Sequence, residues 1–188
     1  METTKRMFTA DEFSRMDAAG IFPPDTRVEL IEGEIIEMSP AGTRYTACVN
    51  RITRRFAVAF AESGLVSVQN AVLLSNWSMP LPDLILAKPR PDDYFNQRLS
   101  AEDTFLVVEV SDTSIAYDRK IKVPLFAKAG IPEVWIEDLQ KNRLLVYRNP
   151  EGQTYSTNLA LSPKDSVSLI AFPDTVFSVS DLLLSDFV

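Results

Sequence analysis

Apolar residues recur along this chain with two periods. Between residues 43 and about 62, Tyr45, Val49, Ile52, Phe56 and Phe60 fall at three- and four-residue steps. That spacing predicts an amphipathic helix, with Gly64 as its stop. Residues 8–19, FTADEFSRMDAA, predict a shorter helix. Thr9 and Glu12 form its capping box, and Gly20 with Pro23-Pro24 ends it. RVELIEGEIIEMSP reads as two strands folded about Glu32-Gly33, an N-terminal β-hairpin. Weak alternation over 65–74 predicts a strand, and LPDLILAK (81–88) is a further short apolar run. Residues 89–103 are polar with two prolines and read as a surface loop with one helical turn. FLVVEV forms a central strand, and 113–129 a helix ended by Gly130. PEVWIED and RLLVYRN form a hairpin through 139–142, and the tail carries shorter strands and a last helical turn, SVSDLLL. Helices alternate with strands early and strands dominate late, which predicts one α/β domain over 1–188 with a mixed sheet.

One residue breaks the pattern. FLVVEVSD, 105–112, is rich in aromatic and β-branched residues, as in a strand covered on both faces. Such a strand has no wet face for Glu109. A buried carboxylate is costly unless it is paired, hydrogen-bonded or bound to a metal. Glu109 therefore either sits where the strand emerges or has a partner elsewhere in the chain.

Composition narrows the chemistry. The chain of 188 residues has no histidine and a single cysteine, Cys48. This removes histidine general bases, Ser-His-Asp and Cys-His catalysis, HExxH sites and any disulfide framework. Carboxylates, lysine, tyrosine, serine or a bound ion must do the work. The net charge is −7, from 19 Lys+Arg against 26 Asp+Glu. Nucleic acid could then bind only through a local basic patch, or with metal ions cancelling a cluster of acids. No apolar run approaches the roughly 18 residues of a membrane span, and the N-terminus lacks a secretory core, so a cytoplasmic protein is expected.

Two residues are candidate partners for Glu109. Asp83 opens the preceding strand, behind Pro82, which belongs at a strand end or edge. If the two strands are neighbours, Asp83 and Glu109 approach across them, and a cation between them would offset their repulsion. Mg²⁺ suits such a site, since it takes one or two carboxylates and keeps several waters. Lys122 lies on the next helix, on one face with Asp118, Phe126 and Ala129, a face that turns apolar towards the sheet. Each residue also has a plainer reading. Asp83 could cap a turn, Glu109 could end its strand in solvent, and Lys122 could pair with Asp118 at i,i+4. Arg51, Arg54 and Arg55, with Arg90 and Arg98, are the best local basic patch, against the plainer reading of a solvated helix face.

These residues come in a recognisable order. Pro82-Asp83, Glu109-Val-Ser, Tyr117-Asp118-Arg119 with Lys122, and Ala129-Gly-Ile-Pro-Glu-Val-Trp-Ile136 together resemble the Uma-type restriction endonuclease family of the PD-(D/E)xK nuclease superfamily. Arg27-Val-Glu-Leu-Ile-Glu-Gly-Glu-Ile35 is similar to that family's YELIDGE hairpin, so the resemblance spans roughly residues 8 to 155. It implies a restriction-endonuclease-like core, a central mixed sheet flanked by helices. It also implies a divalent-metal phosphodiesterase site using Mg²⁺ (or Mn²⁺). Asp83 and Glu109 would be metal ligands, Glu29 the additional acid and Lys122 the catalytic lysine. Lys122 would be displaced onto the helix, since Ser111 holds the superfamily's usual lysine place. Three departures stand out. Val28 replaces the hairpin tyrosine, Tyr45 stands near the place of a histidine found in many relatives, and Pro124 interrupts the helix. A proline there breaks an interior hydrogen bond unless it lies in the first turn; if it shifts Lys122, Lys120 is the alternative.

The resemblance implies metal-assisted hydrolysis of DNA, with a homodimer suited to cutting both strands. Two rivals stay open: a catalytically silent nuclease-like fold acting as a nucleic-acid or protein binding module, and a metal hydrolase of small phosphoesters.

Overall fold

The computed structural model describes residues 3–184. Helix α1 (Ala10–Ala18) starts at the expected capping box, with Thr9 accepting from Glu12 N–H and Glu12 reaching back to Thr9 N–H. Strands β1 (Val28–Ile31) and β2 (Glu34–Glu37) form the antiparallel hairpin. Its turn residues Glu32 and Gly33 have φ of +47° and +83°, the left-handed pair that matches the twist of a two-residue hairpin. A Cβ on Gly33 would also lie 2.8 Å from the Met7 side chain, so glycine is required there twice over.

The central sheet has six strands in the order β3 (Leu65–Val68), β4 (Leu84–Ala87), β5 (Thr104–Ser111), β6 (Glu133–Asp138), β7 (Arg143–Glu151) and β8 (Thr154–Leu161). Only β5 and β6 run parallel, so the sheet is mixed. A parallel pair needs a crossover, and the helical segment after β5 supplies it. Helix α2 (Thr43–Ala59) covers one face. There Ile52, Phe56 and Phe60 pack on Leu84, Leu86, Leu106, Val108 and Trp135. Phe56 and Trp135 meet edge to face at 5.8 Å, a geometry worth about 0.5–1.5 kcal/mol beyond the area buried. A small hairpin, β9 (Ser166–Leu169) with β10 (Phe172–Ser178), and the short α5 (Val179–Leu182) close this side. On the other face Val123, Phe126 and Ile131 pack on Ile85, Ala87, Val107, Val134 and Ile136.

Two expectations need correction. The strand over 65–74 stops at Val68; Gln69 turns with φ +52°, and the chain beyond makes only isolated bridges. The helix over 113–129 is not one regular α-helix. It runs as α3 (Ile115–Tyr117), a π turn over Asp118–Lys122, and α4 (Val123–Lys128). Val123 N–H bonds to Asp118 O, five residues back. Pro124 follows at once, in the first turn of α4, where its missing N–H is tolerated. Among the described residues no helix is long and apolar enough to cross a membrane.

Candidate functional site

Strand parity explains why acids occupy core-like strands. In β4 and β5, alternate residues point to opposite faces. Ile85, Ala87 and Val107 face the α4 side, so Asp83 and Glu109 share that side by the same alternation. Leu84 pairs with Val108 in the antiparallel register, and extending it by one residue sets Asp83 opposite Glu109. Both are 3% exposed.

The partner of Glu109 is Lys122. Its Nζ donates to Glu109 Oε1 at 2.9 Å and lies 3.1 Å from Glu29 Oε2. Glu29 comes from β1, placed where Leu30 and Met79 exchange backbone hydrogen bonds. Its carboxylate also accepts from Leu81 N–H at 3.2 Å and from the Tyr117 hydroxyl at 3.4 Å. The structure therefore brings together all four acids and bases singled out in the sequence: Asp83, Glu109, Lys122 and Glu29. The i,i+4 pairing of Lys122 with Asp118 does not occur. Asp118 accepts instead from Ser111 Oγ at 2.6 Å and Ser114 Oγ at 2.7 Å, which pins the π turn to the end of β5. Lys120 is exposed and lies on the other side of the helix, away from these acids.

Asp83 is held by residues whose roles the sequence did not reveal. Its Oδ1 accepts from the Tyr45 hydroxyl, and Arg27 Nη2 lies 3.4 Å away. Arg27 also donates to the Tyr45 hydroxyl at 3.1 Å. Val110 N–H donates to Asp83 Oδ2 at 2.7 Å. Tyr45 stands on the same helix stripe as Val49 and Ile52, so the periodicity that located α2 also aims Tyr45 at the sheet. Nothing comparable marks Arg27, which lies just before its strand.

Burial dominates the electrostatics. It raises the pKa of Asp83, against the opposing hydrogen bonds of Tyr45 and Val110 and the charges of Lys122 and Arg27. It lifts Glu109 well above the usual carboxylate range; Lys122 opposes this, while Asp83, Asp118 and Glu29 add to it. Burial works against the Lys122 ammonium, but Glu109 and Glu29 outweigh it and hold its pKa above the ordinary lysine value. Lys122 is a fixed cation at neutral pH. Behind the site, on the α2 face, Glu137 pairs in register with Val110 and is fully buried. Neither of its carboxyl oxygens makes a hydrogen bond of normal geometry, and the Cys48 thiol of α2 is the polar side chain that faces it. Burial, then the charge of Asp83, push its pKa up to about 8.

The four residues line a cleft of 470 Å³ with Arg27, Tyr45 and Tyr117. Among the described residues no three His, Cys, Asp or Glu side chains form a ready metal cage. The opposed pair Asp83 and Glu109 nonetheless fits Mg²⁺ in kind and number, because that ion takes hard oxygen ligands and is commonly bound through one or two carboxylates. The arginines proposed as a basic patch serve mainly as tethers. Arg51 donates to Leu183 O, Arg55 pairs with Asp181, Arg90 with Asp92 and Arg98 with Asp11.

The sequence pattern of the Uma2 family, described as "Putative restriction endonuclease", matches residues 10–180. No curated protein sequence matches the chain. Among solved structures, one described as "a putative nuclease belonging to DUF820" from Anabaena variabilis superposes with a TM-score of 0.69. It is 17% identical, and the match covers 93% of this chain and 97% of that one. At that identity the likeness establishes the fold.

Proposed function

Because the chain belongs to the Uma2 family, a restriction-endonuclease family by description, we propose that it is a divalent-metal-dependent nuclease hydrolysing phosphodiester bonds in DNA. The observation that carries this reading is the opposition of Asp83 and Glu109 across β4 and β5, with Lys122 on Glu109, in one cleft. Asp83 and Glu109 would hold Mg²⁺ or Mn²⁺. When bound, that ion would supply positive charge at a scissile phosphate and make the attacking water more acidic. The remaining roles belong to the chain itself. Lys122, kept protonated by Glu109 and Glu29, offsets negative charge developing on the phosphate. Glu29 fixes the lysine, because it is anchored on Leu81 N–H. Tyr45 and Val110 N–H orient the two oxygens of Asp83. A two-fold dimer would present two such clefts to a duplex.

A second reading has its own support. Asp83 already has Arg27 beside it and Glu109 already has Lys122. A nuclease-like fold stabilised by internal ion pairs, and acting as a binding module, would look like this. Calorimetric titration of Mg²⁺ and Mn²⁺ into wild type and Asp83→Asn, with cleavage of plasmid and single-stranded DNA by the same samples, separates the two. The nuclease reading expects binding and cutting in wild type and neither in the variant. Wild type that binds no ion and cuts nothing would overturn it in favour of the module.

A further inference from the structure

The acid-lined cleft poses a problem that the nuclease reading leaves open. A polyanion approaching Glu29, Asp83, Glu109 and Asp118 meets repulsion, and the chain as a whole carries −7. Most of its cations are also spent. Lys5, Arg6, Arg27, Arg55, Arg90, Arg98, Lys122, Lys128, Arg143 and Arg148 each lie within ion-pair distance of an acid. Arg119 and Lys120 are among the cations that remain. They are adjacent and exposed, and neither has an acidic ion-pair partner among the described residues. Arg119 is steadied through Nε by the Tyr147 hydroxyl at 3.2 Å.

Both line a groove of 790 Å³ between the α3–α4 segment and strands β7 and β8. Arg143 also lines the groove, with its guanidinium paired to Asp138 at 2.8 Å, and no aspartate or glutamate lines it. The same helical segment thus faces two ways. Tyr117, Asp118 and Lys122 look into the acidic cleft, while Ile115, Arg119 and Lys120 look into the basic groove. A helix with its side chains is about 10–12 Å across. Phosphates on one strand advance about 3.4 Å per nucleotide along a duplex, so the groove lies within roughly three nucleotides of the cleft.

We propose that this groove binds the phosphate backbone of the polynucleotide flanking the scissile bond, with Arg119 and Lys120 as its contacts. The proposal rests on the nuclease reading for the identity of the polyanion, and it assigns affinity to a surface distinct from the cleft. Fluorescence anisotropy of a fluorescein-labelled duplex in EDTA, over a series of salt concentrations, tests it without turnover. Each lost phosphate contact lowers the magnitude of the negative slope of log affinity against log salt by about 0.9, so Arg119→Gln/Lys120→Gln is expected to lower that magnitude by about 2 and to weaken binding at every salt. Lys164→Gln, at an exposed position in the turn between β8 and β9, is expected to leave the slope unchanged. A double variant with the wild-type slope overturns the groove, even if the wild type cuts DNA. Poly-glutamate competing as well as unlabelled duplex also overturns it, making the groove a general anion surface. A slope of lowered magnitude in a protein that never cuts DNA with any metal keeps the groove and removes the nuclease.

Discussion

Lys122 and Glu109 are thirteen residues apart in the chain and 2.9 Å apart in space, each nearly sealed from solvent. Glu29 completes the contact at 3.1 Å. Two carboxylates from two different sheets share one ammonium, so the lysine ties the N-terminal hairpin to the central sheet. The pairing is structural before it is chemical, and the two roles can be measured separately.

Removing the ammonium leaves two buried carboxylates without their cation. Lys122→Met is expected to destabilise the fold by roughly 3–5 kcal/mol, the usual cost of breaking a buried pair from one side. Lys120→Met, at an exposed position without an acidic partner, is expected to stay within about 0.5 kcal/mol. Urea unfolding of both variants checks the contrast. Equal effects would refute the placement of Lys122 rather than Lys120 in the cluster.

Glu137 gives stability a pH dependence of definite sign. Its folded pKa, about 8, lies above the ordinary value of 4.5, so the native state holds this proton more tightly than the unfolded chain does. Its contribution is fully present below the unfolded value and is lost as pH rises through about 8. Glu137→Gln removes the titration. Its stability relative to wild type should therefore rise between about pH 5 and pH 9, by a few kcal/mol in order of magnitude. Urea midpoints measured across that range would show parallel curves if Glu137 were ionised in the fold.

Tyr45→Phe deletes a hydroxyl donor to Asp83. The expected cost is about 1–2 kcal/mol, because Asp83 keeps Arg27 and Val110 N–H. The hydrogen bond from Tyr45 also lowers the pKa of Asp83, so its loss raises that pKa. On the nuclease reading, Asp83 would hold the ion as a carboxylate. The pH of half-maximal Mn²⁺ binding should shift upward in the variant, as read by titration calorimetry at several pH values.

Asp118 holds two serine hydroxyls at the junction of β5 and the π turn. Asp118→Ala should cost about 1–3 kcal/mol by leaving Ser111 Oγ buried without its acceptor, whereas Asp118→Asn keeps an acceptor and should recover most of that loss. Thermal melts of the two variants provide the test. Equal losses would mean that charge, not hydrogen bonding, is what the position requires.

The sequence made some of this visible and hid the rest for identifiable reasons. Helix α2, the capped α1 and the Glu32-Gly33 turn follow from local periodicity and turn chemistry, which act over a few residues. The mixed sheet and the acids on it were legible because a charged residue in an apolar strand demands a partner. The roles of Arg27 and the burial of Glu137 were not legible, since each depends on contacts between segments distant in the chain. The π turn was hidden as well. Pro124 announces a disturbance in the helix, but whether it displaces Lys122 depends on how the turn before it absorbs the missing bond.

That turn bears on how the lysine reaches its acid. A π turn closes its hydrogen bond over one more residue than an α turn does. The number of residues from β5 to the lysine is therefore adjustable, while the ammonium must still arrive within 3 Å of the glutamate. What defines this site is the point in space where the ammonium arrives, 2.9 Å from Glu109, and the count of residues between acid and lysine does not by itself reveal it.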